Sequence, residues 1–188
     1  FTGALPEPQV RAFLQRLLPT RADQLAESAV RLAYAGDQSA AEEEFGRALA
    51  EDRSHRAANL GLARLLVARG EDQTALSLLA MLPADAEATK LRAEIGLRAS
   101  ATGEDVTELQ ARISSDPKDV DAHYQIAMNL ATQARHAEAL EHLLEVVRLD
   151  RSYQDDAGRK AMLDIFTLLG DAGPLTQRYR RRLGSLIF

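Results

Sequence analysis

Small and apolar residues recur along this chain at helical spacing, and the pattern itself repeats. Gly36, Ala41, Phe45 and Ala48 are answered by Gly70, Ala75, Leu79 and Leu82, 34 residues further on. Ala134, Ala139, Leu143 and Val146 repeat it 64 residues after that, just short of two more periods, so one intervening unit is shortened. The pattern predicts helical pairs from Thr20 onward. Thr20 and Asp23 have the spacing of a capping box, and Leu25, Ala29, Val30 and Leu32 mark the first helix. Gly36 is placed to end it, and Asp37 to cap the next. In the partner helix Ala41, Phe45, Ala48 and Leu49 fall at i, i+4, i+7 and i+8, one face of a 3.6-residue period. A second pair, Ser54 to Leu82, carries Leu62, Ala63 and Leu66, then Gly70, then Ala75 and Leu79, and Pro83 stops it. A degenerate third pair has Leu91, Ile95 and Leu97, a break near Thr102-Gly103, then Val106, Leu109 and Ile113 before the Asp116-Pro117 turn. The fourth pair is the most regular: Ala122, Tyr124, Ile126, Ala127 and Leu130, then Ala139, Leu140, Leu143 and Val146.

Beyond Asp150 the register changes. Met162, Ile165, Phe166 and Leu169 share a helical face closed by Gly170, and Pro174 opens a last helix at N1, where its missing N–H costs nothing. A period of 34 in helix-compatible sequence is the spacing of the tetratricopeptide repeat, a helix-turn-helix that buries its apolar face only by stacking on neighbours. The expected fold is therefore all-α: a tetratricopeptide-like, right-handed array of antiparallel helix pairs. Divergent repeats would occupy 20–152 and a C-terminal capping pair 153–188. The first 19 residues, with Val10, Phe13, Leu14, Leu17 and Leu18 as an apolar stripe, read as a solubilising N-terminal cap or as the closing helix of another domain.

Composition agrees, being only 5% aromatic with no Trp and six Pro. The net charge of −5 mixes 23 basic with 28 acidic side chains, which leaves no basic field for a phosphate backbone, so no nucleic acid is expected as a partner. The lack of Cys removes disulfides, thiolate zinc sites and thiol redox chemistry from these residues, and fits a reducing compartment. No apolar run approaches the roughly 20 residues of a membrane helix, so no membrane partner is expected. The first residues, Phe1-Thr2-Gly3, include no initiator Met and no signal-peptide pattern, and read as a cut inside a longer protein.

Catalytic signatures are missing. There is no Gly-x-Ser-x-Gly turn and no phosphate-binding glycine loop. His55, His123, His136 and His142 form no i, i+3 or i, i+4 pair, so a metal site would need different helices to meet. Acidic runs such as Glu42-Glu43-Glu44 and Asp155-Asp156 suit solvated helix faces. A non-enzymatic, monomeric chain without a cofactor is expected. A stacked array also offers a groove built from the first helix of each pair. In this register it would be lined by Ala26, Val30, Ala33, Tyr34, Leu60, Arg64, Val67, Tyr124, Met128 and Thr132, mostly apolar. A clamp for a terminal carboxylate is disfavoured, because Arg64 alone has the Lys, Arg or Asn chemistry such clamps use. An apolar groove with an adaptable Met suits extended or partly unfolded chains; the competing reading is that other helices cover these side chains.

The last helix sets Leu175, Tyr179, Leu183, Leu186 and Ile187 against Arg178, Arg180, Arg181 and Arg182. Taken whole, the chain resembles the bacterial chaperedoxins, the YbbN-type proteins in which a thioredoxin domain precedes a tetratricopeptide region. The residues that carry the resemblance are Gly3-Ala4-Leu5 with Val10 to Leu18, which resemble a thioredoxin ending, the divergent repeats, and above all the C-terminal signature. That signature reads Asp156, Arg159 to Phe166, Leu168 to Asp171, Pro174-Leu175, Tyr179 to Leu183 and Leu186-Ile187-Phe188. The resemblance implies a cytoplasmic, stress-related bacterial holdase that keeps unfolded clients soluble and passes them to a GroEL-type chaperonin. The chaperonin would be met by the C-terminal helix, through Arg180, Arg181, Leu183, Leu186, Ile187 and Phe188. Clients would lie on Val30, Tyr34, Leu60, Arg64, Val67, Tyr124 and Met128. Two other readings stay open: an architectural adaptor for one specific partner, and the specificity arm of a thioredoxin-like oxidoreductase whose active site lies upstream of Phe1.

Overall fold

The computed structural model describes residues 6, 7, 10 and 18–187, without the side chain of Ile187. Among them are ten α-helices and no strand: α1 (Arg21–Tyr34), α2 (Gln38–Glu51), α3 (Arg56–Arg69), α4 (Asp72–Leu79), α5 (Ala86–Ser100), α6 (Val106–Ser115), α7 (Val120–Thr132), α8 (His136–Leu149), α9 (Ala157–Leu169) and α10 (Pro174–Ile187). Most of the thioredoxin-like segment predicted for the N-terminus lies outside the described residues, as does Phe188.

The helix boundaries follow local chemistry. The Thr20 hydroxyl accepts from the Asp23 amide while the Asp23 carboxylate accepts from the Thr20 amide at 2.8 Å, a complete capping box. Asp37 accepts from the Ala40 amide at 3.1 Å. Gly70 ends α3 at φ 79°, left-handed backbone that costs glycine little and other residues more. Asp119 caps α7 by accepting from the Ala122 amide at 2.9 Å, while Arg112 grips its carboxylate with two hydrogen bonds. His55 caps α3 through an Nδ1 that accepts from the Ala58 amide at 3.2 Å, with Nε2 3.0 Å from Asp23. Nothing in the sequence pattern marks this imidazole as a cap.

The chain divides into two compact units, Phe1–Asp85 and Ala86–Phe188. In the first, α1 pairs with α2 and α3 with α4, while α3 also packs on α1 and α2. One core cluster there is Ala26, Ala29, Ala41, Phe45, Ala48 and Ala58. Five alanines allow close backbone approach, and one ring fills the space they leave. Full burial of that ring is worth about 1.5–3 kcal/mol. It lies against Gly61: a Cβ there would sit 2.2 Å from Phe45 Cζ. The second unit pairs α7 with α8, brackets α7 with α5 and α6, and lays α9 on α5 and α8. Leu109, Met128, Leu140, Leu143, Met162 and Ile165 are fully buried there. Gly158 admits α9 to α8, since a Cβ would lie 2.7 Å from Val146 Cγ1.

Candidate functional site

Helix α10 is attached to the second unit by one buried stripe. Gly170, at φ 81°, closes α9, and Pro174 begins α10 after a short turn. Thr176, Tyr179 and Leu183 are buried at 0%, 2% and 6% exposure, and Leu175 and Leu186 pack partly on the same core. The Tyr179 hydroxyl donates to Glu141 at 2.5 Å and to the Ala137 carbonyl at 3.2 Å. Arg182 completes the lock with two hydrogen bonds to Glu141, and its guanidinium lies 5.0 Å from the Tyr179 ring centroid. Arg182 and then Tyr179 hold the Glu141 carboxyl down to about 2, against the opposing effect of burial. Burial, then the adjacent carboxylate, pushes the Tyr179 phenol up.

This geometry sorts the predicted chaperonin-facing residues. Leu183 is core, so its side chain is withheld from a partner. Arg180 is held by Asp171 and lies over the Phe166 ring. Arg181 is exposed and makes no ion pair among the described residues, while Arg178, also exposed, lies 5.4 Å from the Tyr179 centroid. Leu186 is half-buried. Phe188 and the Ile187 side chain lie outside the described residues. The outward basic surface of α10 is thus carried by Arg178 and Arg181, a pairing the sequence pattern does not single out, because Glu141 and Asp171 reach the other two arginines from elsewhere in the fold.

Of the seven predicted client-groove residues, three are exposed and four are buried. Val30 and Tyr34 are exposed, at 37% and 91%, and so is Arg64. Leu60, Val67, Tyr124 and Met128 are buried at 3%, 6%, 5% and 0% and serve as packing residues. Helical register placed them on an apolar face; covering by neighbouring elements removed that face from solvent.

The histidines meet across helices, as any metal site would require, but only in a pair. His123 Nδ1 lies 3.0 Å from His142 Nδ1, and His123 Nε2 is 3.3 Å from the Pro117 carbonyl. Burial, and then His123, push the His142 imidazole below its ordinary range. Among the described residues no group of three or more His, Asp or Glu side chains is placed to hold a metal. No described helix is long and apolar enough to cross a membrane.

Tetratricopeptide-repeat family models match residues 32–95 and 99–188. An uncharacterized protein of Haemophilus influenzae is 28% identical over 130 residues, covering 67% of this chain and 59% of the relative. The chain thus spans less than two thirds of that relative's length. Solved structures match as well, two of them as follows. One is a domain of protein VP0806, of unknown function, from Vibrio parahaemolyticus, at 24% identity and a TM-score of 0.39, covering 88% of this chain and 99% of that one. The other is the MamA RS-1 ArsTM double mutant, at 13% identity and a TM-score of 0.43, covering 90% and 97%.

Proposed function

We propose that this chain, whose tetratricopeptide repeats span residues 32–95 and 99–188, acts as a protein-binding holdase module that docks to a GroEL-type chaperonin through the end of α10. A role in protein binding follows from the repeats themselves. The docking element rests on the geometry of α10: its apolar stripe is anchored by Tyr179 and Leu183, its outer face presents Arg178 and Arg181, and the helix continues to Ile187. An exposed cationic face on a fixed helix steers towards an acidic partner surface, and a terminal apolar edge then fits a groove. The resemblance to the chaperedoxins supplies the identity of that partner and the cytoplasmic setting.

A second reading is favoured by one observation. Burial of Leu60, Val67, Tyr124 and Met128 leaves little apolar groove for unfolded clients among the described residues, which suits an adaptor that holds one specific partner. The two readings separate in an aggregation assay. With a holdase, a molar excess of the chain keeps chemically unfolded, unrelated proteins soluble by light scattering. With an adaptor, scattering is unchanged and one protein is bound stoichiometrically.

A further inference from the structure

We infer that the cleft between α5 and α9 is a subsite for a basic side chain, arginine or lysine, of a partner polypeptide, with Asp164 as its anionic anchor. The cleft encloses about 340 Å³ and is lined by Gly96, Leu97, Ser100, Tyr124, Lys160 and Asp164, among others. Gly96 keeps the α5 wall low: a Cβ there would stand 3.8 Å from an Asp164 carboxylate oxygen, so the carboxylate reaches across the gap left by the missing side chain.

Asp164 is half-buried and makes no hydrogen bond or ion pair among the described residues. The cation nearest in sequence, Lys160, sits one turn earlier on α9, at the spacing that pairs helix residues. Its ammonium instead donates to Asp155 at 2.5 Å. A partly desolvated, uncompensated carboxylate is unfavourable, and burial pushes the Asp164 carboxyl above the ordinary range. Groups kept in such environments concentrate at binding sites. Charge complementarity selects a cation. Leu97, Ala161 and Tyr124, each no more than 5% exposed, form the closed apolar floor of the cleft, and a long side chain with an aliphatic stem and a charged head, as in arginine and lysine, suits the space between that floor and Asp164. The subsite uses no residue of α10, so it stands or falls separately from chaperonin docking.

The test uses the whole chain and two blocked pentapeptides, one with a central arginine between alanines and one with citrulline, its neutral near-isostere. In ¹H–¹⁵N spectra the arginine peptide should shift the amides of Gly96, Ser100, Lys160 and Asp164 saturably. The citrulline peptide should bind roughly tenfold more weakly, the loss expected for one charge-assisted hydrogen bond. Asp164→Asn should abolish the difference. It should also melt above the parent at pH 7, because a carboxyl whose pKa burial raises weakens the fold wherever it is ionised. Equal binding of both peptides, shifts located elsewhere, arginine preference surviving in Asp164→Asn, or a lower melting temperature for that variant would each overturn the assignment. The last outcome would make Asp164 a structural residue.

Discussion

Gly61→Val is expected to destabilise the first unit by about 3 kcal/mol, at the upper end of the overpacking range. The glycine faces Phe45 so closely that a Cβ would lie 2.2, 2.5 and 2.8 Å from three ring atoms. The ring is itself 1% exposed and enclosed by Ala26, Ala29, Ala41, Ala48 and Ala58, so it has no open direction in which to retreat. Phe45→Leu in the same chain should recover part of the loss by shortening the obstructing side chain. Gly46→Ala serves as the control: on α2, with nothing within 4 Å of its added Cβ, it should be neutral or stabilising by up to about 1 kcal/mol. Urea denaturation with hydrogen exchange resolved over α1 to α3 measures all three. A Gly61→Val chain as stable as the parent would show that Phe45 is not the fixed ring described.

Tyr179→Ala should release α10 from the second unit. The side chain is 2% exposed, and truncation of a buried aromatic residue costs about 3–5 kcal/mol. The loss also strips Glu141 of one donor, leaving it to Arg182. Tyr179→Phe keeps the ring and gives up only the hydroxyl bonds to Glu141 and Ala137, an expected cost of about 0.5–1.5 kcal/mol. Amide exchange over residues 174–187 should therefore accelerate strongly in the alanine variant and slightly in the phenylalanine variant, while α7 and α8 stay protected. Unchanged protection of α10 in Tyr179→Ala would mean that Thr176 and Leu183 suffice to hold the helix.

Local chemistry is legible in this sequence, and contacts between helices are not. The capping box at Thr20 and Asp23, the stop at Gly36 and the cap at Asp37 are read directly, because each involves atoms a few residues apart. The alanine positions and Phe45 are legible too, since a 34-residue echo repeats their face. The dependence of Phe45 on Gly61 is not, because it arises only when α3 is laid against α2. Periodicity likewise put Tyr124 and Met128 on an apolar face without showing that α7 has neighbours on that face as well; the mixed, nearly all-round burial of α7 is a product of packing. On α10 the four arginines were visible as a row, but their division into held and free depends on Glu141, about forty residues away, and on Asp171. The pairing of His123 with His142 is hidden for the same reason, the two rings being brought together by the α7–α8 contact.

Docking through the end of α10 is open to a direct test, co-purification of a GroEL-type chaperonin with the intact chain and with a chain ending at Gly184. Leu186 is only half-buried and Tyr179 and Leu183 are retained, so the trimmed chain should keep its helical circular dichroism. The intact chain should retain the chaperonin and the folded, trimmed chain should not. Equal retention by both, or by neither, would contradict it.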